Sequence, residues 1–198
     1  MASLAHHFLS MAYNNTWANQ RLLHACGQLS QNDFVAPRTS FFPSLKATLN
    51  HNLTVDWYYV DALERCLRGQ PANAEARGYF DPEEPFAACR ELHTAQRAVD
   101  HRLIELCKAL TDAQLELSVA IQRSKGVRHE TVTRLLAHLF QHQIHHRGQV
   151  HAMLAGTHVP PPPLDEFFCE QDAQKFALPE LAAMGYADTT LWSAAVRT

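Results

Sequence analysis

An all-α fold, a four-helix bundle with a C-terminal tail, is what this sequence predicts, and three observations predict it. Glycine is scarce, seven in 198 residues, and proline clusters between elements. Four long stretches repeat apolar residues at alternating steps of four and three, the period of a helix with one buried seam. At 46% hydrophobic residues the chain can bury a sizeable core. Residues 1–170 read as one bundle domain, and 171–198 as an extension packed on it or partly flexible.

Leu4, Phe8, Met11, Asn15, Ala18, Leu22, Ala25 and Leu29 form the first seam, which predicts a helix over about 3–30. A loop with Pro37 follows. Thr39 or Ser40 offers a cap for a second helix that runs to about Leu67, where Gly69 and Pro71 end it. Its main seam is Leu49, Leu53, Asp56, Val60, Leu63 and Leu67; a neighbouring one carries Thr48, His51, Val55 and Tyr58. Asp81-Pro82-Glu83-Glu84 has the signs of a helix start: a capping Asp, Pro in the first turn, and acids at the positive end of the dipole. The third helix then runs to about Leu110 through Leu92, Gln96, Val99, Leu103 and Leu106. Weak alternation over Leu115–Ile121 and the turn-like Arg123-Ser124-Lys125-Gly126 predict a short hairpin or an irregular crossover. The fourth helix covers about Glu130 to Leu154 and stops at Gly156. Pro160–Pro163 enforce an extended segment, followed by short amphipathic pieces around Glu166–Phe176 and Leu178–Met184.

The fourth seam is chemically unusual. It reads Leu135, Leu139, His142, His146, Gln149 and Met153, so two imidazoles and an amide stand where leucine would pack. Burying them costs stability unless each finds a partner. Histidines four apart on a helix lie about 6 Å from each other on one face, and one divalent cation can take a nitrogen from each. Hydrogen-bonded core histidines are the plainer alternative. The best third ligand is His51, the one histidine of the second helix. Three neutral imidazoles leave coordination positions open, which suits a catalytic cation.

Other residues around this seam have candidate roles. His138, one turn before His142, could be a fourth ligand or a supporting group; His145, rotated by about 100° from His146, points elsewhere and lines the pocket or the surface. Asn15 and Gln149 are polar positions in two seams and could orient imidazoles through their second nitrogens; Asp56 could do the same. Arg147 is either an anchor for an anionic substrate or half of a structural ion pair. Gly148 suggests close approach of a neighbouring helix.

Composition excludes several classes. The net charge of −3 and the absence of a Lys/Arg block argue against nucleic acid. Apolar runs are too short and too interrupted for a transmembrane helix, and Met1–His7 lacks a signal-peptide pattern, so the expectation is a cytoplasmic protein. Five widely spaced cysteines without a C-x-x-C indicate neither a disulfide framework nor a thiolate zinc site. Glu-x-x-His pairs, phosphate-binding glycine loops and G-x-S-x-G are missing, against di-iron, nucleotide and serine-hydrolase readings.

Three blocks resemble the DinB/YfiT-like superfamily: Asn15-Thr16-Trp17-Ala18-Asn19-Gln20-Arg21-Leu22-Leu23; Ser40 to His51 with Asp56 and Trp57; and His138-x-x-x-His142-x-x-His145-His146-Arg147-Gly148-Gln149. They stand in the superfamily's order over about residues 1–170. The resemblance implies a down-up-up-down bundle with a long crossover, a metal held by His51, His142 and His146, and a homodimer. Relatives in that superfamily include metal-dependent thiol transferases that use bacillithiol or mycothiol, and a mycothiol-dependent maleylpyruvate isomerase. The expected activity is therefore attack of a metal-activated thiol, or water, on a small-molecule electrophile. A non-catalytic metal- or ligand-binding bundle is the alternative. The expected cofactor is one divalent ion per chain, zinc first and nickel second, with Fe, Mn, Cu and Co also suited to imidazoles, together with a low-molecular-weight thiol. Below about pH 6, protonation of the imidazoles would release the metal.

Overall fold

The computed structural model describes residues 3–186; the part of the expected C-terminal extension beyond Tyr186 lies outside the described residues. The described chain is mostly helical, with one two-stranded antiparallel sheet. The long helices are α1 (Leu4–Cys26), α3 (Leu45–Leu67), α4 (Cys89–Ala109) and α5 (Val132–Ala155). A short α2 (Gln31–Val35) joins the first two, and a hairpin of β1 (Ser118–Arg123) and β2 (Gly126–Thr131) precedes α5. Helices α1 and α3 each pack on both α4 and α5, so the four close a ring around one core. Trp17, Leu22, Leu53, Leu63, Leu92, Leu103 and Ile104 are buried at its centre. Each such side chain contributes roughly 1.5–3 kcal/mol by leaving water.

Local chemistry corrects several expected boundaries. The first helix stops at Gly27 rather than near residue 30: the Gly27 N–H donates to the Leu23 carbonyl, and Ser30 then caps α2 by accepting from the Asp33 N–H. Leu29, which prolonged the seam in sequence, packs on the core from this turn. Neither Thr39 nor Ser40 caps α3; Ser44 does, accepting from the Ala47 N–H at 3.0 Å. Pro43 explains the delay, because it disfavours helical backbone at Phe42. The third long helix begins at Cys89, not at Asp81. Pro85 biases Glu84 away from helix, and the backbone of Phe86 is held at both N–H and C=O by the side chain of Asn50. Local capping signals at 81–84 lose to this tertiary tether.

Helix α5 is capped by Thr131, whose hydroxyl accepts from the Arg134 N–H. Its buried face is broader than the single predicted seam: Leu136, Phe140, Gln143, Arg147, Val150 and Leu154 form a second buried line beside the first. Gly148 does not mark a close helix approach. A Cβ there meets nothing within 4 Å, and the residue is exposed.

After Pro163 the chain returns to α1 through α6 (Glu170–Asp172), a π-helical stretch (Ala173–Ala177) and α7 (Leu178–Ala183). Arg21 ties this segment down, with an ion pair to Glu180 at 2.9 Å and a hydrogen bond to the Pro163 carbonyl at 2.7 Å, while its guanidinium lies over Trp17. Ala173, Ala177 and Leu181 are buried beneath. No helix among the described residues is long and apolar enough to cross a membrane.

Candidate metal centre

His51 stands in the second turn of α3, half-buried, while His142 and His146 stand one turn apart on the adjoining face of α5. The packing of α3 on α5 brings the three rings together: centroids lie 5.0 Å (His51–His142), 4.8 Å (His51–His146) and 4.5 Å (His142–His146) apart. One nitrogen from each falls within 4.8 Å of the others, and the His51 and His142 Nε2 atoms are 3.0 Å apart. Around a tetrahedral zinc at about 2.0–2.1 Å, ligand nitrogens sit about 3.4 Å apart, so the cluster needs only small side-chain shifts to enclose an ion.

The protonation states also fit a cation. Burial, reinforced by the neighbouring imidazole of His146, holds His51 down to about 4. Burial and the surrounding histidines hold His142 down to about 3. His146 is lowered as well, by burial, with Gln149 opposing. Neutral imidazoles are the ligand form. The tautomer of His146 is set by Gln149: its Oε1 accepts from Nδ1–H at 2.8 Å, which leaves the Nε2 lone pair free. The Gln149 amide then donates to Nε2 of His145 at 3.1 Å. His142 has no such support, because its buried Nδ1 meets no partner.

His145 is exposed and outside the cluster. His138 is exposed too, with its ring edge-on to Tyr59 at 5.3 Å and 6.1 Å from that of His142. A ring that sequence reasoning missed completes the wall: Phe42 lies 4.4 Å from His51 and 5.5 Å from His146. His51 and Phe42 line a cavity of about 360 Å³ together with Thr54, Phe80, Glu83 and Glu84.

A family comparison now bears on this arrangement. The DinB family model matches residues 2–177. The chain belongs to the DinB family. It is also similar to Protein DinB of Bacillus subtilis (strain 168), 27% identical over 142 residues, 71% of this chain and 80% of that protein. In this DinB-family chain the match runs past the Pro-rich segment into the helical pieces beyond it.

Beneath the imidazoles, this DinB-family chain carries a buried polar layer drawn from all four long helices. Arg147 donates through Nη1 to the amide oxygens of Asn15, Asn19 (2.9 Å) and Gln143 (3.4 Å). Asn15 and Asn19 donate in turn to Asp100, and Gln96 bridges Asp100 (3.1 Å) and Asp56 (2.7 Å). Asn15 and Asp56 therefore serve this layer and make no hydrogen bond to an imidazole. Arg147 is neither exposed to a ligand in the metal cluster nor in direct ion pairing; it reaches the carboxylates through amides. Burial raises Asp56 to about 7, with Asp100 adding to it, and raises Asp100 to about 6; burial lowers Arg147 to about 10. The missed members, Asn19, Gln96, Asp100 and Gln143, left a signal in the sequence: Asn15/Asn19, Gln96/Asp100 and Gln143/Arg147 are polar pairs four apart.

Proposed function

We propose that the chain is a metal-dependent enzyme whose cation is held by His51, His142 and His146. The carrying observation is that three imidazoles from two helices converge on one point while no fourth His, Cys, Asp or Glu among the described residues joins them. That donor set leaves open positions and fits zinc first and nickel second. When bound, such an ion lowers the pKa of a thiol or a water so that the deprotonated form is available near neutral pH. The chain's own residues do the rest. Gln149 fixes His146, Phe42 packs beside His51 and His146, and the cavity beside His51 admits a small electrophile. Family membership favours a thiol as the attacking group, with water as the fallback. The test is to reload metal-free protein with zinc or nickel and offer thiols with a chromogenic electrophile. Metal-dependent turnover that disappears in His142→Ala supports the reading. Equal rates with and without metal contradict it.

A non-catalytic metal-binding module is the second reading, and it is favoured by a site closed with a fourth protein ligand. The exposure of His138, outside the cluster, weighs against it. We further read the ring of four helices as a down-up-up-down bundle and the chain as a homodimer. The ring of contacts supports the first and family resemblance supports the second; light scattering in solution tests the dimer.

A further inference from the structure

Between the loop from Arg38 to Phe42 and the last turns of α5 lies a cavity of about 500 Å³, lined by Arg38, Thr39, Ser40, Phe41, Gln149 and Met153 among others. Gln149 is also the residue that orients His146, so the cavity adjoins the histidine cluster. Its wall at Ala152 lies about 9 Å along α5 from His146, at a rise of 1.5 Å per residue.

Arg38 is the cation of this wall, and it lacks an anion. Arg21, Arg65, Arg68, Arg102 and Arg134 each pair with a carboxylate, whereas no ion pair is formed by Arg38 among the described residues. Its Nη2 donates to the Asp33 carbonyl at 2.8 Å, and its Nε–H is buried without an acceptor. That atom is shut off from the cavity, so a ligand there would be met by Nη1, which makes no hydrogen bond among the described residues and is not among the buried unpaired atoms. The loop holds it in place, since the Arg38 backbone N–H donates to the Pro43 carbonyl at 2.8 Å. The same loop carries Phe42 over the metal centre and Phe41, 80% exposed, beside the cavity. One end of the loop thus offers a positive fork, its middle an apolar face, and its other end the histidines.

We propose that this cavity is the subsite for a substrate carboxylate, with Arg38 as its anchor and the hydroxyls of Thr39 and Ser40 as auxiliary donors. The substrate is an anionic molecule whose apolar stem, about six carbons for the 9 Å span, runs past Phe41 to the reacting atom at the histidines. A single cation with two hydroxyls matches a monoanion; a phosphate dianion calls for more positive charge than this wall holds. The proposal rests on the metal-centre reading for its direction and names the substrate class of that site.

The test uses full-length protein and two matched probe pairs. In metal-free protein, hexanoate and hexan-1-ol are titrated and followed by backbone amide NMR. Hexanoate is expected to shift residues 38–41 and 149–156 saturably and to bind about tenfold more tightly than the alcohol, the scale of one charge-assisted contact. Arg38→Gln removes the preference. Ala152→Trp, which fills the cavity and leaves Arg38 in place, weakens hexanoate and guards against a loop defect in the first variant. In cobalt-loaded protein, 6-mercaptohexanoate is compared with 6-mercaptohexanol by the cobalt–thiolate absorption, with the same tenfold preference expected. Equal binding of hexanoate and hexanol by the wild type, a preference that survives Arg38→Gln, or undiminished hexanoate binding in Ala152→Trp overturns the proposal. If cobalt fails to bind, the metal reading falls while the hexanoate arm still decides this one; if cobalt binds and the carboxylate preference is missing, this proposal falls alone.

Discussion

Replacing Gln149 by alanine removes the one side-chain acceptor that Nδ1–H of His146 has among the described residues and leaves the three imidazoles themselves intact. The 2.8 Å bond does two things: it selects the tautomer with a free Nε2 lone pair, and it restrains the ring toward His51 and His142. Losing such a supporting bond typically weakens metal binding by about 10–100-fold, which corresponds to about 1.4–2.7 kcal/mol at 1.36 kcal/mol per decade. Gln149 is half-buried and touches the imidazoles rather than the core, so the metal-free stability should move by no more than about 0.5 kcal/mol. Gln149→Glu keeps an acceptor and makes it anionic, so it should retain affinity or raise it. The assay is competition with a chromophoric zinc chelator at neutral pH, beside thermal melting of the metal-free forms. Zinc affinity of Gln149→Ala within twofold of wild type would refute the reasoning, because His146 would then need no external orientation.

Three further outcomes follow from the same geometry. Arg147→Met leaves Asp100 and Asp56 in the core without their counter-charge and should cost about 3 kcal/mol or more in urea unfolding. Both acids are raised by burial, so each holds more protons folded than unfolded, and stability declines as pH rises from 3.8 through about 6 for Asp100 and about 7 for Asp56. The variant's deficit should therefore be larger at pH 8 than at pH 5, and a deficit that shrinks with rising pH contradicts this account. Gly148→Ala should stabilise the protein by about 0.5–1 kcal/mol, because the Cβ meets open space and helix propensity improves; a loss in chemical denaturation would mean something does press on that position. Metal retention should persist well below pH 6. His51 and His142 are held down to about 4 and about 3, so these two rings take up protons only far below 6.5 in the folded state, and folding stability from them is lost as pH falls from 6.5 through those values. Zinc content after dialysis across pH 3–7 checks it, and release with a midpoint at 6 or above is the contrary result.

The two α5 members of the histidine cluster were legible because they obey helix geometry. His142 and His146 share a face at a spacing of four, and their neighbours Leu135, Leu139 and Met153 place that face inward. His51 was found because it lies on an inward seam of another helix. What escaped was determined by tertiary contact. The start of α4 depends on Asn50 reaching Phe86, 36 residues away, and no local pattern encodes that bond. The polar layer under the imidazoles was legible only in part: Asn15, Asp56 and Gln96 stand on seams, whereas Gln143 and Arg147 lie on a line of α5 that only the packing of α1, α3 and α4 renders internal. Gly148 failed in the opposite direction, since the missing side chain faces open space.

The central claim is that three histidines from α3 and α5 hold one divalent ion. The most direct measurement is elemental analysis of untagged protein purified without chelator, with wild type beside His51→Ala and His146→Ala. The account predicts about one metal per wild-type chain, lost in both variants while the folded state persists by circular dichroism. A wild type that takes up no metal after incubation with zinc, nickel, manganese and iron, or variants that both keep a full complement, would contradict it.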